Sequence, residues 1–85
     1  MIQIYALYKY NSNSNKGFYV LIEPFKIESI SIIDNSYSKD HQMWSIHVNL
    51  PHYQYDLMNE KTKKYYWDSY DDAIEHLKKI GLYNI

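Results

Sequence analysis

Ser69-Tyr-Asp-Asp-Ala-Ile-Glu-His-Leu-Lys-Lys-Ile-Gly81 is the stretch whose reading decides the fold. Tyr70, Ala73, Ile74, Leu77 and Ile80 recur at the spacing that puts side chains on one face of an α-helix. Ser69 is a natural N-cap, and Asp72 three residues later completes an S-x-x-D capping pattern. Asp71 and Asp72 sit in the first turn and Lys78 and Lys79 in the last, which suits the helix dipole. Gly81 is the expected stop, because glycine adopts the left-handed conformation that ends helices. A helix of about eleven residues is about 16 Å long. It can shield one face of a sheet and no more.

Upstream of Ser69 the period changes from helical to alternating. Residues 2–10 read as a strand, with Ile2, Ile4, Ala6, Tyr8 and Tyr10 on one side and Gln3, Tyr5, Leu7 and Lys9 on the other. A polar loop from Asn11 follows, with Gly17 as its expected positive-φ residue. Residues 18–23 return, and Pro24 ends them. A β-branched strand over 27–33 is followed by a second polar loop, Asp34 to Asp40. Residues 42–50 alternate most cleanly, with Trp44, Ile46, Val48 and Leu50 opposed to Ser45, His47 and Asn49. Tyr53–Met58 is a short fifth strand. After a turn at Asn59–Thr62, Lys63–Trp67 reads as a sixth. The expected fold is a single α+β domain over residues 1–85: an antiparallel meander of five or six strands with one C-terminal helix packed on one face.

That architecture leaves a sheet face uncovered. With Ile2, Ile4, Phe18, Val20, Ile22, Trp44, Ile46 and Val48 under the helix, the other face holds Tyr5, Leu7, Tyr19 and Leu21, with Ile30 and Ile32 beside them. A solvated face should be polar. This one is half apolar, and tyrosine supplies large contact area with a hydrogen-bonding tip. Tyr5, Leu7, Tyr19 and Leu21 are therefore the expected protein-binding anchors. The competing readings are a sheet curled into a small barrel, loops that cover the second face, and a homodimer that buries it.

Composition narrows the functions available. The 85 residues include eleven Tyr, nine Lys and two Gly, with no Arg and no Cys. The formal charge is −1 and evenly spread, zero over residues 1–40 and −1 over 41–85. A duplex binder shows a basic face and a DNA mimic a large acidic excess; neither is present. No basic and apolar leader opens the chain, and no apolar run approaches the ~20 residues a membrane span needs. A cytoplasmic protein with no membrane attachment is expected.

Chemistry finds little support. His41, His47, His52 and His76 lack the spacing that places two imidazoles one helical turn apart, and Asp40 and Asp56 would join them only through tertiary proximity. No metal or other cofactor is expected. Ser45 and His47 share one strand face, but adjacency without a third, orienting group does not make a nucleophile. There is no nucleophile elbow and no Gly-rich phosphate loop, so the sequence points away from an enzyme. A second, nucleic-acid-binding reading uses Tyr65, Tyr66 and Trp67 to stack on a base and Lys61, Lys63 and Lys64 to meet phosphate. The plainer reading is that Trp67 and Tyr70 anchor the helix to the sheet.

No family motif is present. In composition and architecture the chain resembles the small host-takeover and anti-defence proteins of phages and mobile elements, anti-CRISPR inhibitors among them. Its Lys, Asn, Ile and Tyr usage fits an AT-rich genome, such as that of a low-GC bacterium or its phage. The resemblance implies a non-enzymatic inhibitor that binds a host or rival complex in the host cytoplasm.

Overall fold

A computed structural model describes residues 1–8, 17–35 and 44–83. The chain runs β1 (Ile2–Tyr8), β2 (Phe18–Ile22), a 3₁₀ turn (Pro24–Lys26), β3 (Ser29–Asp34), β4 (Trp44–Asn49), β5 (Gln54–Leu57) and α1 (Tyr70–Ile80). The strands form one five-stranded sheet in the order β2-β1-β5-β4-β3, every neighbouring pair antiparallel. The fold is therefore the expected α+β sheet with a C-terminal helix. β3, β4 and β5 are a local meander, and the β1–β2 hairpin joins it through β1 against β5.

Four antiparallel steps leave the two edge strands, β2 and β3, parallel to each other. The chain must then cross the whole sheet between Ile22 and Ser29. Pro24 cannot extend β2 and starts the 3₁₀ turn instead. Ile27 packs against the same core as the helix, so the crossing lies on the helix side.

The helix forms as its punctuation predicts. The Ser69 hydroxyl accepts from the Asp72 amide at 3.1 Å. Gly81 adopts φ +82, and its N–H reaches back to the Leu77 and Lys78 carbonyls. The next residue, Leu82, donates to the Leu77 carbonyl at 2.9 Å and is buried, the hydrophobic closure that accompanies such caps.

Directly opposed residues of an antiparallel pair share a face, so the registers divide the sheet unambiguously. Ile4, Ala6, Ile22, Leu57, Val48 and Ile46 lie on the covered face and form the core with Ala73, Leu77, Leu82 and Trp67. Phe18 shares that face at its exposed rim. Ile30 and Ile32 pair with Val48 and Ile46. They therefore belong under the helix and not on the second face, where the sequence places them.

Two further expectations are corrected. Lys63–Trp67 is not a sixth strand. Lys63 takes φ +60, which breaks an extended run, and only Trp67 pairs, exchanging backbone hydrogen bonds of 2.8 and 2.7 Å with Trp44. Gly17 has no positive φ. It is required for space: a Cβ there would fall into the Tyr5 ring and 2.6 Å from the Met58 sulfur. The polar loop residues 11–16 and 36–40, with Asp40 and His41, lie outside the described residues. No described helix is long and apolar enough to cross a membrane.

Candidate interaction surface and the polar seam beside it

The second face consists of two halves. On β1 and β2, Tyr5 stands opposite Tyr19 and Gln3 opposite Leu21. The Tyr5 and Tyr19 rings meet with centroids 4.9 Å apart. Tyr19 is 52% exposed and Leu21 64%, whereas Tyr5 and Leu7 are half-buried. The four predicted anchors thus share a face but differ in depth.

Tyr5 is half-buried because the turn after β5 folds back over it. The Asn59 side chain accepts from the Lys61 and Thr62 amides at 2.9 and 3.2 Å and closes the turn. That turn carries Lys63 Nζ to 4.5 Å from the Tyr5 ring centroid, a cation–π contact. It also brings Glu60 to the Tyr19 hydroxyl, which donates to it. The hydrogen bond to the carboxylate, reinforced by desolvation and charge, pushes the Tyr19 phenol above its ordinary value of 10.0.

β2 is an edge strand. Its sequence, Phe-Tyr-Val-Leu-Ile, holds no charge and no proline, the devices that normally protect an exposed edge. Beside it runs an open groove of about 320 Å³, lined by Met1, Val20, Leu21, Ile22, Leu50, Tyr53 and Tyr55 together with the Glu23–Lys26 ion pair. Phe25 in the crossing turn is exposed nearby in sequence. Apolar side chains therefore flank this edge on both faces.

The half on β3, β4 and β5 is chemically different. One row across the sheet reads Leu7, Asp56, His47, Ser31; the next pairs Ser45 with Ile33 and the other neighbour pairs Gln54, Asn49 and Ser29. Asn49 donates to the Ser29 and Ser31 hydroxyls at 2.9 and 3.1 Å. His47 Nδ1 lies 2.6 Å from Asp56 Oδ1, and its Nε2 lies 2.9 Å from Ser45 Oγ. Asn35 Nδ2 donates to the same Ser45 oxygen at 3.0 Å. Ser45 and His47 are each 8% exposed, and no described buried side-chain polar atom lacks a partner. The sequence places Ser45 beside His47 and leaves Asp56, nine residues beyond His47, to join them only through tertiary proximity. Only the β4–β5 register brings it opposite His47.

The six residues of the nucleic-acid reading do not form one platform. Trp67 is 7% exposed and packs on His76 of the helix at 4.8 Å between centroids. Trp44 meets Tyr70 edge-on at 5.4 Å, so Trp67 and Tyr70 anchor the helix. Tyr65 and Tyr66 pack edge to face on each other. Lys63 and Lys64 point to different rings, Tyr5 and Tyr66. An open groove of about 490 Å³ beside them mixes Lys64 and Lys79 with Asp68, Asp72 and Glu75. His76 lines the same groove. Its burial, and secondarily Lys79, holds its pKa below the usual 6.5. Among the described residues no group of three or more His, Asp or Glu could hold a metal ion.

No family model, curated protein or solved structure compared with the chain matches it.

Proposed function

We propose that this chain is a protein-binding module that docks its partner along β2. The observation that carries the reading is the uncharged edge strand with Tyr19 and Leu21 exposed and a largely apolar groove, closed at one end by Glu23 and Lys26, running beside it. An exposed edge offers backbone hydrogen bonds to an incoming strand, and flanking pockets select its side chains. Tyr19 and Leu21 are the outer anchors, with Tyr5 and Leu7 supporting them from β1. The near-neutral surface favours a protein over a nucleic acid. Acting by occupancy, such a domain inhibits a larger cytoplasmic complex stoichiometrically, in the manner of the anti-defence proteins its composition resembles.

The test is affinity capture from the native host with the parent chain and with Tyr19→Ala and Leu21→Ala. A specific partner should be retained by the parent, and at least one variant should lose about 2 kcal/mol or more of binding. A partner held equally by all three chains would show that β2 is not the docking edge.

A further inference from the structure

The Ser45–His47–Asp56 chain has a chemical direction, and the direction follows from one contact. Asp56 is a carboxylate acceptor 2.6 Å from His47 Nδ1, so Nδ1 carries the imidazole proton. In the neutral imidazole Nε2 is the acceptor, and Ser45 Oγ, 2.9 Å from it, is placed to donate its proton there. The Asn35 amide, donating to Ser45 Oγ at 3.0 Å, occupies an oxygen lone pair and leaves that donation undisturbed. Nucleophile, base and orienting acid are thus connected in the required order and through the required nitrogens. The missing third group was what told against chemistry in the sequence, and the β4–β5 register supplies it.

We infer that Ser45, His47 and Asp56 form an acyl-transfer centre, with Ser45 as nucleophile, His47 as general base and Asp56 as the positioning residue that holds His47. The substrate class is a carboxylic ester with an apolar acyl part. Ile33 stands across from Ser45 and Leu7 across from Asp56 on this face. Ile33 is exposed, so an acyl chain approaches Ser45 over it.

In the first step Ser45 Oγ attacks the ester carbonyl carbon while its proton moves to His47 Nε2. The bond to the alcohol oxygen then breaks, and the same proton passes to the departing alkoxide. Water next attacks the acyl-Ser45 ester and gives a proton to Nε2. That proton returns to Ser45 Oγ as the carboxylic acid leaves. Asn35 is the side-chain amide at hand for the oxyanion that forms beside Ser45. The centre is independent of the docking edge on β2.

The experiment uses the full chain, a fluorophosphonate probe and p-nitrophenyl butyrate. The probe should label the parent at Ser45, located by mass spectrometry, and should not label Ser45→Ala. His47→Gln should slow labelling by about 100-fold or more, the usual share of a general base. Asp56→Asn should lower kcat for the butyrate ester with KM near the parent value, a split that a merely structural role would not produce. Should His47→Gln fail to fold, the parent and a Ser45→Ala variant shown to be folded by circular dichroism decide between them. A folded parent that the probe leaves unlabelled, or ester hydrolysis unchanged in Ser45→Ala, would overturn the assignment.

Discussion

The two halves of the second sheet face share a backbone, a twist and a side of the molecule, yet they are held by different forces. On β1 and β2 the side chains are large: Tyr5 against Tyr19, with Met58 filling the space that Gly17 leaves. On β3, β4 and β5 they are polar apart from Ile33, and the links between the polar ones are hydrogen bonds. The apolar half keeps its outer members, Tyr19 and Leu21, partly in solvent; Tyr19 is tied to Tyr5 and Glu60, and Leu21 adds little to folding. In the polar half Ser45 and His47 are buried, so these two and their hydrogen-bond partners depend on one another. A buried donor or acceptor that loses its partner costs far more than a made hydrogen bond contributes. An exposed apolar side chain removed from one edge costs almost nothing until something binds it.

Three substitutions test that contrast. Leu77→Ala removes the support both halves share, since Leu77 is the larger of the two buried helix residues that pack against the sheet. It should destabilise by roughly 2–5 kcal/mol in urea titration, and both halves should loosen together. A melt like the parent's would mean that the helix is not what holds the sheet. Asp56→Ala strikes the polar half alone and leaves the His47 Nδ1–H without its acceptor. A loss of about 1–3 kcal/mol is expected, read by the same titration. If the variant is as stable as the parent, the seam is not a dependent network. Leu21→Ala strikes the exposed half and should shift stability by about 0.5 kcal/mol or less. A larger loss would place Leu21 in the fold instead of on the docking edge.

The elements were legible because each carries its own local signal. Ser69, the two acids after it and Gly81 specify the helix ends without reference to anything distant, and the structure forms them as read. Alternation locates β1, β2 and β4 for the same reason: a strand's two faces follow from period two. The signals fail where a local pattern has more than one outlet. Tyr65 and Trp67 alternate like a strand, but Lys63 turns the chain with φ +60 and Trp67 goes into the core. Ile30 and Ile32 alternate correctly, yet which face they join depends on pairing with Ile46 and Val48.

The sequence by itself determined a single helix, its caps, a sheet built before it, and the near absence of net charge. Period two puts Tyr5 with Leu7 and Tyr19 with Leu21, and the β1–β2 register, with Tyr5 opposite Tyr19, sets the two pairs on one face. Tertiary pairing sets the strand order, with β1 against β5 and the chain crossing on the helix side from edge to edge. It alone set β2 at an edge. It alone brought Asp56 to His47, since a hydrogen bond between strands depends on register, and register is a property of two segments together.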